Sequence, residues 1–92
     1  MVKKTTTKLE LVLAPENQKF WLANGRALID LSDLKNALED MDSDTFSHHV
    51  NSEKNDFANW VGDVLMEPKL SLSLRKVKTK KGMLQKIKAR LK

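Results

Sequence analysis

Apolar residues recur along most of this chain at helical spacings of three and four, with one early departure. Phe20, Trp21, Leu22 and Ala23 precede Asn24-Gly25, and Ala27, Leu28 and Ile29 follow Arg26. Asn-Gly between two apolar runs predicts a β-hairpin, because both turn residues can adopt positive φ. A two-stranded ribbon is not stable alone in water, so one side of it must lie on helices. Upstream, the stretch 9–13 (Leu-Glu-Leu-Val-Leu) alternates only in part and predicts a short strand; Ala14-Pro15-Glu16-Asn17 predicts a break.

From residue 32 onward the period is that of a helix. Ser32 is the expected N-cap of a first helix, with Asp33 in its first turn and Leu34, Ala37, Leu38 and Met41 on one face. Ser43 is the expected cap of a short second helix that turns Phe46 and Val50 inward. Ser52 is the expected cap of a third, with Glu53 and Asp56 in its first turn. There Phe57, Trp60, Val61, Val64 and Leu65 form one stripe, and Asp56, Asn59 and Asp63 lie opposite. Pro68 breaks that helix and suits the first turn of the next, in which Leu70 and Leu74 face the core. Thr79 is the expected cap of a last helix with Met83, Leu84, Ile87 and Leu91 on its apolar side. Lys81, Lys88 and Lys92, with Gln85, occupy one flank of it, and Lys86 and Arg90 the other. The expectation is a mainly α fold with a short N-terminal β-hairpin (α+β), four to five short helices in one small domain. Residues 1–16 read as a flexible basic arm, and 17–92 as the single compact domain.

The chain has 92 residues and no cysteine, which removes disulfides, thiol chemistry and thiolate metal sites together. Small secreted domains usually need such staples, so a reducing cytoplasm is expected. No apolar run approaches the roughly 20 residues of a membrane span. The start, Met-Val-Lys-Lys-Thr-Thr-Thr-Lys, imitates the charged front of a signal peptide, but Glu10 breaks the apolar stretch behind it and Pro15 closes it.

Charge changes the picture most. Net charges of +3 for residues 1–29, −8 for 30–67 and +10 for 68–92 make up the total of +5. The last 25 residues hold ten Lys or Arg and no Asp or Glu. Nucleic-acid backbones are dense lines of negative charge, and lysines contact phosphates without reading sequence. The candidate phosphate-binding residues are therefore Arg75, Lys76, Lys78, Lys80, Lys81, Lys86, Lys88, Arg90 and Lys92, with duplex DNA as the expected partner. Lys3, Lys4 and Lys8 could add contacts from the arm. The expected role is a non-enzymatic, nucleoid- or chromatin-like DNA-binding protein. The alternative is a protein-interaction module or adaptor, in which the acidic and basic segments pair within one molecule or between molecules. The cationic last helix could also lie on an anionic membrane, but its apolar face is narrow and lacks an aromatic anchor.

Other chemistry finds little support. His48-His49 lies among Asp42, Asp44, Glu53 and Asp56, but adjacent helical residues point about 100° apart and seldom chelate one ion. One histidine is expected to be buried and hydrogen-bonded to Asn55 or Asp56, the other to face water. No nucleophile elbow, phosphate loop, paired catalytic carboxylates or cofactor fingerprint is present, so neither enzyme activity, a cofactor nor a metal is expected. Trp60 belongs to the core stripe. Trp21 lies opposite either Phe20 or Leu22 on the ribbon.

Phe20-Trp21-Leu22 with Gly25, residues 31–41, Phe46, His48-His49-Val50, Asn55-Asp56-Phe57 and Trp60 together resemble a small helical domain family of unknown function found in archaea and bacteria, alone or joined to larger proteins. The resemblance spans roughly residues 18–91. It implies a shared fold and local structure and no activity. Lysines stand in the C-terminal segment where acids are usual in that family, which favours an added electrostatic role.

Overall fold

Gly25 sets the reversal between the two strands of a hairpin. The structure, a computed structural model, describes residues 11–92. Strand β1 (Phe20–Trp21) pairs antiparallel with β2 (Ala27–Leu28), Phe20 opposite Leu28 and Trp21 opposite Ala27. The Leu22 amide donates to the Arg26 carbonyl at 2.8 Å and the Gly25 amide to the Leu22 carbonyl at 2.9 Å. The loop is thus the three residues Ala23-Asn24-Gly25, and of these Gly25 alone has positive φ, 92°. The two-residue turn expected from Asn-Gly does not form. Asn24 instead accepts the Arg26 amide on Oδ1 at 3.0 Å, an Asx turn that leaves the left-handed step to the glycine. Ahead of the hairpin, residues 11–13 form no strand, and the rest of the expected strand at 9–13 lies outside the described residues, as does most of the N-terminal arm. A single 3-10 turn, Glu16–Gln18, precedes β1. The Ala14 amide donates to the Ile29 carbonyl at 2.8 Å, which fixes the entering chain beside the exit of β2.

Beyond the hairpin the described residues form five helices: α1 (Leu31–Asp40), α2 (Ser43–His49), α3 (Asp56–Asp63), α4 (Pro68–Arg75) and α5 (Lys80–Leu91). Three caps differ from expectation, each for an identifiable reason. Asp30, not Ser32, caps α1: its Oδ1 accepts the Asp33 amide at 2.8 Å while Asp33 Oδ2 accepts the Ile29 amide at 2.9 Å. This reciprocal arrangement satisfies two orphan donors where Ser32 would satisfy one. Asp42 caps α2 one residue before Ser43, accepting the Thr45 amide at 2.8 Å. A carboxylate also complements the positive end of the helix dipole better than a hydroxyl. Asn55 caps α3, accepting the Ala58 amide at 3.0 Å, and donates Nδ2 to the Leu74 carbonyl at 3.1 Å. It thereby joins two helices, which Ser52 could not do from the turn closed by the Asn51 amide and the Lys54 carbonyl at 2.9 Å. Pro68 opens α4, and Thr79 Oγ1 caps α5 by accepting the Gly82 amide at 3.0 Å, both as expected.

The core is one cluster. Leu28, Leu31, Leu34, Leu38, Phe57, Val61, Leu65, Leu74, Met83 and Ile87 are all but fully buried. Helix α5 packs on α1 and α4, and α4 packs closely on α3. At the α3–α4 crossing a Cβ placed on Gly62 would stand 2.9 Å from Ser71 Oγ. Ser71 cannot swing away freely, because that hydroxyl donates to the Ala58 carbonyl at 2.7 Å inside the core. After α3 the chain passes through Met66 in the left-handed region (φ 61°), and the Glu67 amide donates back to the Val61 carbonyl at 3.0 Å.

Candidate nucleic-acid interface

The nine candidate cations divide by what the fold does with them. Lys80 Nζ donates to the Met41 carbonyl at 2.6 Å and closes the C-terminal end of α1. Arg90 grips both oxygens of Glu67 (Nε at 3.0 Å, Nη2 at 2.7 Å), joining the end of α5 to the α3–α4 corner. The Glu67 hydrogen bonds hold the guanidinium charged more firmly than an ordinary arginine, against a smaller penalty from burial. Lys88 lies 3.5 Å from Glu39, which Lys35 also approaches at 3.7 Å, so two cations share one carboxylate. Arg75 Nη2 donates to Asn59 Oδ1 at 2.8 Å. Lys76, Lys78, Lys81, Lys86 and Lys92 are exposed and make no hydrogen bond or ion pair with the described residues.

Helix geometry arranges these groups. α4 buries Leu70, Ser71 and Leu74, which turns Lys69, Leu72 and Lys76 outward at i, i+3 and i+7. Lys69 was not among the candidates; its signal in the sequence was that spacing to Lys76. Val77 tucks partly into the core between exposed Lys76 and Lys78, and α5 then buries Met83 and Ile87 while exposing Lys81, Gln85, Lys86, Lys88, Ala89 and Lys92. A lysine-bearing surface with no acidic residue of its own thus runs from the outer face of α4 through 76–79 onto α5. The apolar side of α5 is committed to the core, which leaves no apolar face for lying on a membrane. No helix of the described residues is long and apolar enough to cross one.

The acidic segment is less free than its charge suggests. Asp30, Asp33 and Asp42 serve helix N-termini; Glu39, Asp40, Asp56 and Glu67 pair with Lys35 and Lys88, Arg26, Lys54 and Arg90 respectively. Hydrogen bonds from Thr45 hold the Asp42 carboxyl below the usual aspartate range, with Lys80 adding to them. Only Asp44, Glu53 and Asp63 of the ten acids in 30–67 have no such engagement among the described residues.

His49 is the buried histidine and His48 the exposed one. Nε2 of His49 accepts the Ala23 amide at 3.0 Å, which requires the proton on Nδ1; that nitrogen donates to Asp56 Oδ2 at 3.0 Å. Lys54 Nζ donates to the same oxygen at 3.0 Å. Burial raises the Asp56 pKa, but the His49 and Lys54 hydrogen bonds outweigh it and leave the carboxyl below its ordinary range. Both imidazole nitrogens are therefore occupied by the protein itself, and the pair fastens the hairpin loop to α2 and α3. Phe20 packs against the rings of His49, Phe57 and Trp60 at centroid distances of 5.0, 5.0 and 5.6 Å. Trp60 Nε1 donates to the Gln18 carbonyl at 2.9 Å, so its ring is held in the core, whereas Trp21 is 63% exposed.

No protein-family model, curated protein or solved structure matches this chain.

Proposed function

We propose that the protein is a non-enzymatic nucleic-acid-binding domain of low sequence specificity, nucleoid- or chromatin-like, that contacts the phosphate backbone through α4, the 76–79 connection and α5. The observation that supports this reading best is the set Lys76, Lys78, Lys81, Lys86 and Lys92. These cations lie in a segment without acids and serve no structural partner among the described residues. Lys69 belongs with them, and Arg75 and Lys88 lie at the border. Lys80 and Arg90 are assigned to holding the fold. Each lysine acts as a point charge that displaces condensed counterions. A protein-contact module built on opposed acidic and basic faces is favoured less, because seven of the ten acids in 30–67 are already engaged within the chain.

The test is fluorescence anisotropy with a labelled random-sequence duplex at about 100 mM salt. Converting Lys76, Lys78, Lys81, Lys86 and Lys92 to Gln should weaken binding by about a hundredfold or more, since five phosphate contacts are removed. Replacing Asp44, Glu53 and Asp63 by Asn should leave affinity unchanged or raise it. Equal affinity of the wild type and the five-lysine variant would remove these residues from any such role.

A further inference from the structure

One large apolar side chain stands among the cations of α4. Leu72, on the outer face of that helix, is 60% exposed. Single exposed leucines are ordinary on protein surfaces, so it is the surroundings of this one that carry information. At about 100° per residue, the buried set Leu70, Ser71 and Leu74 directs Leu72 to within about 30° of straight away from the core. Lys69 at i−3 and Lys76 at i+4 lie about 40–60° to one side of it, and Arg75 at i+3 about 60° to the other. Pro68, at i−4 and also exposed, continues the apolar ridge. Arg75 is steadied by the neutral side chain of Asn59 at 2.8 Å, which leaves its charge available. Phosphate binding accounts for the cations but not for the leucine between them.

Resting on the nucleic-acid reading above, we propose that Leu72 is a wedge: α4 lies across the minor groove of duplex DNA, and Leu72 enters between two base pairs, unstacking them and bending the duplex. An unstacked step offers apolar base faces, which a leucine side chain covers as it leaves water. Cations on both sides of the wedge meet the phosphates on the two walls of the groove, which is about 6 Å wide before it is opened. A wedge must also be stiff, and α4 is held from behind. Leu70 and Leu74 are buried, Ser71 Oγ donates to the Ala58 carbonyl at 2.7 Å, and Asn55 Nδ2 donates to the Leu74 carbonyl at 3.1 Å. Bending lets the duplex cover more protein surface, here the lysines of 76–79 and α5. An inserted leucine reads no base edge, so this mode agrees with low sequence specificity and favours only steps that kink easily. Among the described residues, the unengaged acid nearest to this face in sequence is Asp63, one turn beyond Asn59 on α3, and it works against the contact.

The test uses the full chain and a duplex of about 25 base pairs labelled at both ends for energy transfer, alongside the same duplex with a central mismatch. Wild-type binding should bring the ends closer. The mismatched duplex, whose stacking is already weakened, should be bound about tenfold or more tightly. Leu72→Gln, at an exposed site, should keep the fold and most of the binding to the paired duplex but lose both the bend and the mismatch preference; Leu72→Met should retain them. Wild-type binding with neither bend nor mismatch preference would overturn the wedge while leaving the phosphate-contact reading intact. A bend unchanged in Leu72→Gln would remove Leu72 from that role. Wild-type affinity unaffected by a netropsin-type ligand that fills the minor groove would overturn the groove assignment. Failure to bind either duplex would sink the nucleic-acid reading and this inference with it.

Discussion

Replacing His49 by Phe separates its hydrogen bonds from its ring. The ring contacts with Phe20 and Phe57, at centroid distances of 5.0 and 5.3 Å, can survive in a phenyl group of similar size. The two polar contacts cannot. The Ala23 amide, now 3.0 Å from Nε2, loses its acceptor, and a part-buried donor left unsatisfied costs about 1–3 kcal/mol. Asp56 loses one of two donors but keeps Lys54 and is 28% exposed, so this adds only about 1 kcal/mol after discounting for solvent. The expected destabilisation is about 2–4 kcal/mol, a large share of the roughly 5–10 kcal/mol available to a domain of this size. The assay is urea denaturation followed by the fluorescence of buried Trp60. His48→Phe is the control: His48 is exposed, so its loss should stay within about 0.5 kcal/mol. Matching midpoints for His49→Phe and His48→Phe would refute the assignment of His49 as the fastening between hairpin and helices.

Further substitutions probe the scaffold. Gly62→Ala forces a methyl to within 2.9 Å of Ser71 Oγ and should cost about 1–3 kcal/mol by thermal unfolding, with Ser71→Ala in the same chain recovering part of it. Met66→Gly relieves a left-handed φ of 61° and should stabilise by about 1 kcal/mol by the same measurement. Because the folded-state pKa of Asp56 lies below its ordinary value of 3.8, the unfolded chain takes up its proton first on acidification. The stability it contributes is therefore complete above that value and declines as pH falls toward the lower folded pKa. In denaturation midpoints measured from pH 6 down to about pH 2, Asp56→Asn should flatten this acid-side loss; an unchanged profile would exclude the His49–Asp56–Lys54 cluster as its source.

Much of the architecture is legible in the sequence because the helical faces are clean. Leu34, Ala37, Leu38 and Met41, and likewise Phe57, Trp60, Val61 and Leu65, sit in the core as their periodicity requires. What local pattern does not disclose is competition between neighbours. Ser32, Ser43 and Ser52 are each acceptable caps, yet Asp30, Asp42 and Asn55 cap the helices because a carboxylate suits the dipole or because the amide side chain also reaches Leu74. The hairpin loop obeys the same logic: Asn-Gly announces a reversal, and Asn24 bonding to Arg26 decides its length. At the candidate interface, the sequence identifies a cationic segment but not which cations are committed elsewhere. Lys80 and Arg90 look like their neighbours along the chain, and only the three-dimensional approach of Met41 and Glu67 distinguishes them. The division of labour between His48 and His49 likewise depends on Ala23, 26 residues away.

The central claim is that the lysines of α4, the 76–79 connection and α5 engage phosphates. The most direct measurement is the affinity of the protein for a random-sequence duplex between about 50 and 200 mM salt. Engagement of the six unpartnered lysines, Lys69, Lys76, Lys78, Lys81, Lys86 and Lys92, predicts a log–log slope near −5, from about −0.9 for each phosphate neutralised. A slope near zero, or no binding at the lowest salt, would contradict the account.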